Sequence, residues 1–191
     1  MPEIEVNVAA KSFGSARILA DIRFVLSSGP ATALLGRSGV GKTTLLRIIA
    51  GLDRDYDGQI SASPRVGMVF QEPRLLPWYP VSRNVEVVGV SSGEAARLLR
   101  QVGVSDAAGL YPSQLSLGMA RRVALARALA VEPELLILDE PFASLDAPAA
   151  AGLRRLIADI GGAGRMGVLL VSHDVVDVAA LAQRALILAG R

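Results

Sequence analysis

A glycine-rich turn, set between a short apolar run and a helical stretch, constrains the fold of this chain more than any other feature. Residues 31–35 suit a strand that is buried on both faces, and residues 43–50 suit a helix. The segment between them fits G-x-x-x-x-G-K-[ST] at every fixed position, with Gly36, Arg37, Ser38, Gly39, Val40, Gly41, Lys42 and Thr43. Its glycines let the backbone curl so that successive N–H groups point inward at one anion. The sequence therefore predicts a phosphate-binding loop that joins a central strand to a helix.

The same loop predicts how a nucleoside triphosphate and its Mg²⁺ are held. The helix after the loop directs the positive end of its dipole toward the phosphates. Lys42 adds a point charge for the β- and γ-phosphates, and the hydroxyl of Thr43 can ligate Mg²⁺. Thr44 follows directly and belongs to the predicted nucleotide-binding segment. The alternative, a glycine-rich turn with a chance lysine, is disfavoured because a strand and a helix flank the motif.

A second apolar run ends in two acids. Residues 135–138 precede Asp139 and Glu140, and a strand this apolar belongs inside a sheet. Its carboxyl end delivers both acids to the crevice where ligands bind. We expect Asp139 to hold Mg²⁺, directly or through water, and Glu140 to accept a proton from the attacking water. Taken alone the pair would be a solvated strand end, but the phosphate loop favours the catalytic interpretation.

The remaining sequence predicts an α/β fold. Alternating apolar residues near the N-terminus predict half-buried, antiparallel strands: Ile4, Val6 and Val8, then Ile22, Phe24 and Leu26. Short apolar runs at 66–70, 167–171 and 185–188, separated by helical stretches, predict a largely parallel sheet. Residues 73–114 contain no clear strand, and residues 93–103 have helical spacing, with Ser92 as a possible N-cap.

Composition and charge exclude several classes of protein. The sequence has no cysteine, which excludes disulfides, zinc–cysteine sites and thiol catalysis. The formal net charge is +2 and the arginines are scattered, so we expect no nucleic-acid partner. We expect Arg121, Arg122 and Arg127 to lie on a solvated helix face or to contact a protein partner. No apolar run approaches the length needed to cross a bilayer.

Five further features resemble the ATPases of the ABC family. Residues 115–119, Leu-Ser-Leu-Gly-Met, and the ten residues after them resemble the signature segment of that family. Residues 144–146 lie at the distance of its D-loop. Gln71 matches the glutamine of its Q-loop, and His173 matches its switch histidine. Phe13 lies where the family often places an aromatic ring against adenine, although it could instead be a core residue, and His173 could be merely packed or solvated.

The resemblance implies a single ABC ATPase domain over residues 1–191. It implies a P-loop nucleotide hydrolase with a mainly parallel central sheet, N-terminal antiparallel strands and a small helical subdomain. The RecA-like core would occupy about 1–72 and 133–191, and the helical insertion about 73–132. ATP and Mg²⁺ are the implied cofactors, with Gln71 a further metal contact beside Thr43 and Asp139, and with Gln71 and His173 joining Glu140 in catalysis.

The resemblance also implies partners. In the family two such domains pack head to tail, so that each ATP lies between the phosphate loop of one chain and the signature segment of the other. Ser116, Gly118 and Asp146 would then contact the nucleotide of the partner. Residues 70–78 resemble importers of the nitrate, sulfonate and taurine type, which act with membrane permease subunits and an external solute-binding protein. The chain would therefore lie in the cytoplasm, on the inner face of the cell membrane.

An irregular apolar segment follows Gln71 and predicts a docking surface. Its apolar residues are Leu75, Leu76, Trp78, Tyr79 and Val81, and three prolines interrupt it, at positions 73, 77 and 80. Such a segment suits a groove that receives a helix of a membrane subunit, and the alternative is a loop packed on its own domain.

Leu117 departs from the family pattern, which has glycine at this position. If the position needs a positive φ, leucine strains the backbone; if not, leucine can crowd the partner's nucleotide. Leu117 therefore leaves open a weakly hydrolysing, nucleotide-dependent regulator. A separate alternative, which does not depend on Leu117, is a soluble ABC ATPase of iron–sulfur assembly or of DNA or ribosome function.

Overall fold

The strands of this protein form two sheets in a computed structural model, which describes residues 3–28, 31–61, 64–162, 164 and 166–189. The first sheet is antiparallel, in the order β2-β1-β4. Its strands are β1 (Ile4–Phe13), β2 (Ala16–Leu26) and β4 (Asp57–Ile60). Ile4, Val6 and Val8 are all buried, which confirms the predicted alternation of β1 and its antiparallel pairing with β2.

The second sheet is parallel, in the order β5-β6-β7-β3-β8. Its strands are β3 (Ala31–Leu35), β5 (Val66–Val69), β6 (Leu135–Asp139), β7 (Gly167–Val171) and β8 (Ala182–Ile187). The predicted α/β fold with a parallel central sheet is therefore confirmed. The last strand begins at Ala182 rather than at residue 185, because β8 is an edge strand in which Gln183 and Arg184 are exposed and polar and give no apolar signal.

Six helices occupy the described chain between these strands. They are α1 (Lys42–Ile49), α2 (Val81–Glu86), α3 (Ser92–Gln101), α4 (Leu117–Ala130), α5 (Ala147–Gly161) and α6 (Val175–Leu181), with short 3-10 turns at Ser105–Ala107 and Pro112–Gln114. The N-cap of α3 is Ser91, so the prediction of Ser92 is wrong. Ser91 has extended backbone and its side chain accepts from the Glu94 N–H at 3.2 Å, whereas Ser92 already lies inside the helix.

The parallel sheet is covered on both faces, which explains why its strands are apolar without alternation. Along β6, Leu136 and Leu138 pack into one apolar cluster with residues of α3, α4 and α5. Leu135 and Ile137 pack into a second cluster with residues of β1 and α1. Successive side chains of a strand point to opposite faces, so a strand buried between two layers must be apolar at every position.

One buried cation joins the antiparallel sheet to the segment after α1. Lys11 in β1 is 2% exposed, and its Nζ lies 3.0 Å from Asp53 Oδ1 and 3.3 Å from Asp55 Oδ2. The hydrogen bond from Lys11 lowers the pKa of Asp53 below its ordinary value, against the opposing effect of burial. A carboxyl with a lowered folded-state pKa stabilises the fold above its unfolded pKa of about 4, and that contribution is lost as the pH falls through the folded value.

We therefore expect Asp53→Asn to be less stable than wild type at neutral pH and to lose less stability on acidification. The difference between the two proteins should shrink as the pH falls from about 6 to about 2, because protonation removes the same charge that the substitution removes. Urea unfolding across this pH range measures it, with Asp159→Asn, an exposed acid on α5, as control. A difference that stays constant with pH would contradict the pairing.

Candidate nucleotide-binding and catalytic site

A cleft of about 750 Å³ opens at the carboxyl edge of the parallel sheet. Because β3, β6 and β7 run parallel, the segments that follow them meet at the same edge. The cleft is lined by Phe13, Ile18, Gly36, Ser38, Gly39, Gly41, Lys42, Thr43, Thr44, Gln71, Asp139, Glu140, Val171 and His173. Most of the predicted nucleotide-binding and catalytic residues are thus brought together from five separate segments of the chain.

The phosphate loop has the backbone that its glycines permit. Gly41 is the N-cap of α1, with φ 103° in the left-handed region. A Cβ at this position would lie 2.6 Å from the Leu19 side chain, so both conformation and space require glycine. Arg37 and Val40 belong to the loop but do not line the cleft. The loop therefore presents backbone and glycine, rather than bulky side chains, to an incoming phosphate.

Lys42 holds its charge within the loop. The residue is 9% exposed, and its Nζ donates to the carbonyls of Gly36 and Arg37 at 2.7 and 2.9 Å. These carbonyls are neutral acceptors, so an anionic phosphate oxygen would make a stronger, charge-assisted bond with the same ammonium. The arrangement keeps a cation available at the place where the triphosphate is predicted to lie.

Asp139 is suited to hold a cation. It is 7% exposed, and Oδ2 lies 3.5 Å from the Thr43 hydroxyl. Burial, and then the neighbouring charge of Glu140, raise the pKa of Asp139 above its ordinary value. A buried carboxylate in this situation is stabilised by a positive ion, and hydroxyl and carboxylate oxygens are the donors that Mg²⁺ prefers. No group of three or more His, Cys, Asp or Glu side chains suited to a metal occurs in the described ranges.

Glu140 is held in an unusual backbone conformation beside Asp139. Its φ is 47°, and its N–H donates to the Val171 carbonyl at 2.9 Å. Its Oε2 lies 3.0 Å from Nδ1 of His173, whose side chain is 73% exposed. The predicted switch histidine therefore contacts the predicted general base, and its exposed ring lines the cleft.

A buried network that the sequence did not reveal holds the segment before His173. Ser172 Oγ donates to Asp177 Oδ2 at 2.7 Å, and Arg154 Nε donates to Asp177 Oδ1 at 2.7 Å. Asp177 is 3% exposed and belongs to α6, whereas Arg154 belongs to α5. The two helices thus fix the turn that carries His173. No short sequence pattern predicts this network, because Arg154 and Asp177 are 23 positions apart in the chain.

Phe13 lies at the rim of the cleft with an exposed ring. The residue is 55% exposed, which excludes the alternative that it is a core residue. Lys11 Nζ lies 4.7 Å from the ring centroid, within the range of a cation–π contact. A ring with open surface at the cleft can stack on a base, so adenine stacking stays a prediction.

The signature residues lie outside this cleft. Ser116 is the N-cap of α4, and its Oγ accepts from the Met119 N–H at 3.2 Å. Asp146 is the N-cap of α5, and its Oδ1 accepts from the Ala149 N–H at 2.8 Å. Neither these residues nor Gly118 line the cleft of their own chain. The structure therefore does not unite them with the phosphate loop within one subunit.

Leu117 is accommodated without backbone strain. It is the first residue of α4 and does not have a positive φ, so a glycine conformation is not required there. Its side chain is 40% exposed. Two effects were expected for this leucine. The prediction of backbone strain is wrong, and the prediction that the side chain crowds a partner's nucleotide stays a prediction.

Similarity to known proteins agrees with this geometry. The sequence profile of the ABC transporter family matches residues 19–143. Aliphatic sulfonates import ATP-binding protein SsuB of Granulibacter bethesdensis is 46% identical over 191 residues, covering 98% of this chain and 80% of the relative. SsuB 1 of Xanthomonas axonopodis pv. citri is 40% identical over 205 residues, covering 98% of this chain and 81% of the relative.

The chain belongs to the ABC transporter family. It is an ATP-binding and ATP-hydrolysing subunit of that family, as the resemblance implied. Among solved structures, a dimeric post-hydrolysis state of the ATP-binding cassette MJ0796 bound to ADP and Pi superposes with a TM-score of 0.85 at 25% identity, covering 98% of this chain and 94% of the other. Within the described residues of this ABC ATPase, no helix is both long and apolar enough to span a membrane.

Three arginines of the signature helix α4, for which a solvated face or a protein partner was predicted, bind backbone carbonyls of their own chain. Arg121 donates to the carbonyls of Glu140 and Ala143, and Arg122 donates to the carbonyl of Val102. Arg127 donates to the carbonyls of Arg74 and Pro73 at 3.0 and 2.9 Å. The expectation of a solvated face is wrong because each guanidinium donates to backbone carbonyls of other segments of the same chain. In this ABC ATPase, Arg121 therefore ties the signature helix to the turn after β6, Arg122 ties it to the end of α3, and Arg127 ties it to the segment after Gln71.

We expect Lys42→Ala to lose at least about tenfold in ATP affinity, since one hydrogen bond to a charged group is worth about 1.5–3 kcal/mol. Titration calorimetry of the purified ABC ATPase with ATP and Mg²⁺ measures the change. Arg47→Ala, which removes an exposed cation from the same helix, is the matched control and should bind as wild type does. Equal affinity of Lys42→Ala and wild type would contradict the phosphate-loop assignment.

Proposed function

We propose that this ABC ATPase drives a solute importer, as a head-to-tail dimer attached to permease subunits on the inner face of the cell membrane. The convergence of the phosphate loop, Asp139, Glu140 and His173 on one cleft carries the catalytic part of the proposal. The names of relatives that are 40% and 46% identical support an importer of the aliphatic sulfonate type over a soluble ATPase of iron–sulfur assembly or of DNA or ribosome function.

The catalytic roles follow from the positions of the side chains. Backbone N–H groups of the loop and the Lys42 ammonium bind the triphosphate, while Thr43, Asp139 and Gln71 are the proposed holders of Mg²⁺. When bound, Mg²⁺ neutralises charge on the β- and γ-phosphate oxygens. Glu140 takes a proton from the attacking water at its carboxylate. His173 orients that carboxylate through the contact of 3.0 Å and offers its exposed ring to the γ-phosphate.

The head-to-tail dimer accounts for the residues that the cleft leaves out. Ser116 and Gly118 begin a helix of 14 residues, whose N-terminal N–H groups suit an anion. Asp146 begins a second long helix. Since none of the three lines the cleft of its own chain, the nucleotide that they serve would be bound by a second copy. The exposed side chain of Leu117 would then face that copy.

A docking loop, residues 73–80, supports the proposed attachment to a permease. It has no regular structure, and it exposes Trp78 by 66% and Tyr79 by 36%, which disagrees with a loop packed wholly on its own domain. The two rings meet edge to face, with centroids 6.4 Å apart. Val81, which the sequence assigned to the same surface, is fully buried and begins α2, so that assignment is wrong.

Asn84 gives the docking loop its shape. The residue is fully buried; its Oδ1 accepts from the Leu76 N–H at 2.7 Å, and its Nδ2 donates to the carbonyls of Leu76 and Tyr79 at 3.1 and 2.9 Å. Arg127 holds the start of the same loop. A preformed apolar surface binds a helix at a lower entropic cost than a mobile one, which favours docking.

We expect Glu140→Gln to bind ATP and to stop hydrolysing it, because the amide keeps the shape of the carboxylate and cannot take a proton. Retained ATP should trap a dimer. Phosphate release and light scattering after size exclusion measure the two effects. Lys42→Ala with ATP is the control that should remain monomeric. Hydrolysis near the wild-type rate would show that Glu140 is not the base.

We expect Trp78→Ala to weaken association with the co-expressed permease subunits, since aromatic anchors carry much of the energy of an interface. Co-purification in detergent measures the association, with Ile187→Ala as the control, because Ile187 is 78% exposed on β8 and lies outside the docking loop. Trp78 is the single tryptophan of the chain, so its emission should also shift to the blue in the complex. Equal recovery of both variants with the permease would contradict the docking surface.

A further inference from the structure

Arg121 is a buried cation that the catalytic scheme does not use. It is 3% exposed, and its Nε is buried without a hydrogen-bond partner. Among the ion pairs that the described residues form, none includes Arg121. Its contacts are instead two backbone carbonyls, those of Glu140 at 2.8 Å and Ala143 at 2.6 Å.

Both contacts belong to the turn that carries the proposed base. The N–H of Glu140 is fixed by the Val171 carbonyl in β7, and its carbonyl accepts from Arg121 and from the Ala143 N–H at 3.2 Å. Glu140 is thus held at both its N–H and its carbonyl, and its φ is 47°. Ser144, four residues later, also has a positive φ, of 61°. Non-glycine residues keep such angles only where the surrounding structure determines them. Arg121, on α4, helps to hold these backbone angles through its two hydrogen bonds to the turn.

A cation is a costly way to bind two carbonyls. Burial lowers the pKa of Arg121, and only the charge of Glu140 opposes this. A neutral side chain would form such bonds without taking a charge out of water, so stability alone does not account for the arginine. The planar guanidinium does, however, present several donors in a fixed geometry, which suits two acceptors that must keep one relative position.

The position of Arg121 on α4 links the base to the signature segment. Leu117 begins α4, and Arg121 follows one helical turn later. A helix moves as a rigid element over so short a distance, so a shift of the signature segment relative to the sheet also shifts the two donors of Arg121.

We propose that Arg121 is a positioning residue for Glu140, which orients the base correctly only while α4 is docked against the turn after β6. The inference rests on the proposed role of Glu140. The signature helix then has two roles, because it meets the partner's nucleotide and also sets the geometry of the base in its own chain.

The test compares three variants by steady-state phosphate release. Arg121→Met keeps the bulk of the side chain and removes every donor, while Arg121→Lys keeps the charge and part of the hydrogen bonding. Arg122→Met is the matched control, since Arg122 is the next residue of α4 and binds the carbonyl of Val102, away from the cleft. We expect Arg121→Met to lower kcat by about 10- to 100-fold with KM for ATP unchanged, because a misplaced catalytic group costs rate rather than binding. Arg121→Lys should recover part of the loss, and Arg122→Met should keep the wild-type kcat.

A double variant separates positioning from a general loss of structure. In the Glu140→Gln background, Arg121→Met should not lower the residual single-turnover rate further, because the group that it orients is already disabled. A kcat of Arg121→Met within twofold of wild type would overturn the proposal, as would an equal further loss in the Glu140→Gln background. If Arg121→Met does not fold, full kcat in a folded Arg121→Lys would overturn it, and a reduced kcat at unchanged KM and melting temperature would support it.

The same experiment distinguishes failure of the two proposals. A Glu140→Gln variant that hydrolyses ATP at the wild-type rate rejects the base itself, and with it the role assigned to Arg121. An inactive Glu140→Gln together with a fully active Arg121→Met rejects only the positioning role.

Discussion

The parallel pairing of β3, β6 and β7 is the constraint on which the rest of this structure depends. In the paired registers, Val171 at the end of β7 lies opposite Asp139 of β6 on one side and Leu34 of β3 on the other. The three strands therefore end almost level, and the next residues along each are the phosphate loop, Glu140 and His173. Antiparallel pairing would send one of these groups to the opposite edge of the sheet. All five residues of β6 and all five of β7 are buried, so both strands are held between the two apolar layers.

The helix α4 is the second element on which the site depends, because it binds both the turn that carries Glu140 and the start of the docking loop. Its first turn contains the signature residues, Arg121 binds the turn after β6, and Arg127 binds the start of the docking loop. The attachments made by Arg121 and Arg127 are hydrogen bonds to backbone carbonyls, so they hold conformation rather than add apolar area. In the proposed importer, a helix attached in this way would relate the state of the nucleotide to the position of a docked membrane subunit.

The sequence predicted the parts of the site that are encoded locally. The phosphate loop depends on the spacing of Gly36, Gly41 and Lys42 within a few residues, and Asp139 follows directly from the apolar run before it. The α/β fold followed from the same apolar runs. The predicted N-cap of α3 was wrong by one position, because two adjacent serines carry the same local signal. Only the geometry of the folded helix distinguishes Ser91 as the cap.

The sequence did not predict the polar contacts between residues that are far apart in the chain. Arg121 and Asn84 are polar in composition and buried in the structure, because each binds carbonyls of a loop that is defined only once the chain has folded. An arginine on a helix gives the same sequence signal whether it is solvated or bound to a carbonyl 19 positions away. The prediction for Val81 was wrong in the opposite direction, because a residue assigned to the surface proved to be buried. Val81 begins a helix, and its apolar side chain lies in the core.

In the proposed dimer, ATP joins the phosphate loop of one chain to the signature segment of another. Disulfide trapping tests it most directly, since the sequence has no cysteine and any introduced pair is unambiguous. Ser38→Cys and Leu117→Cys would each be placed on Glu140→Gln, mixed, and oxidised with and without ATP and Mg²⁺. If the proposed dimer is correct, a covalent dimer forms in the mixture with ATP and none forms from either variant alone. Cross-linking of Leu117→Cys to itself, or equal cross-linking of the mixture without ATP, would contradict it.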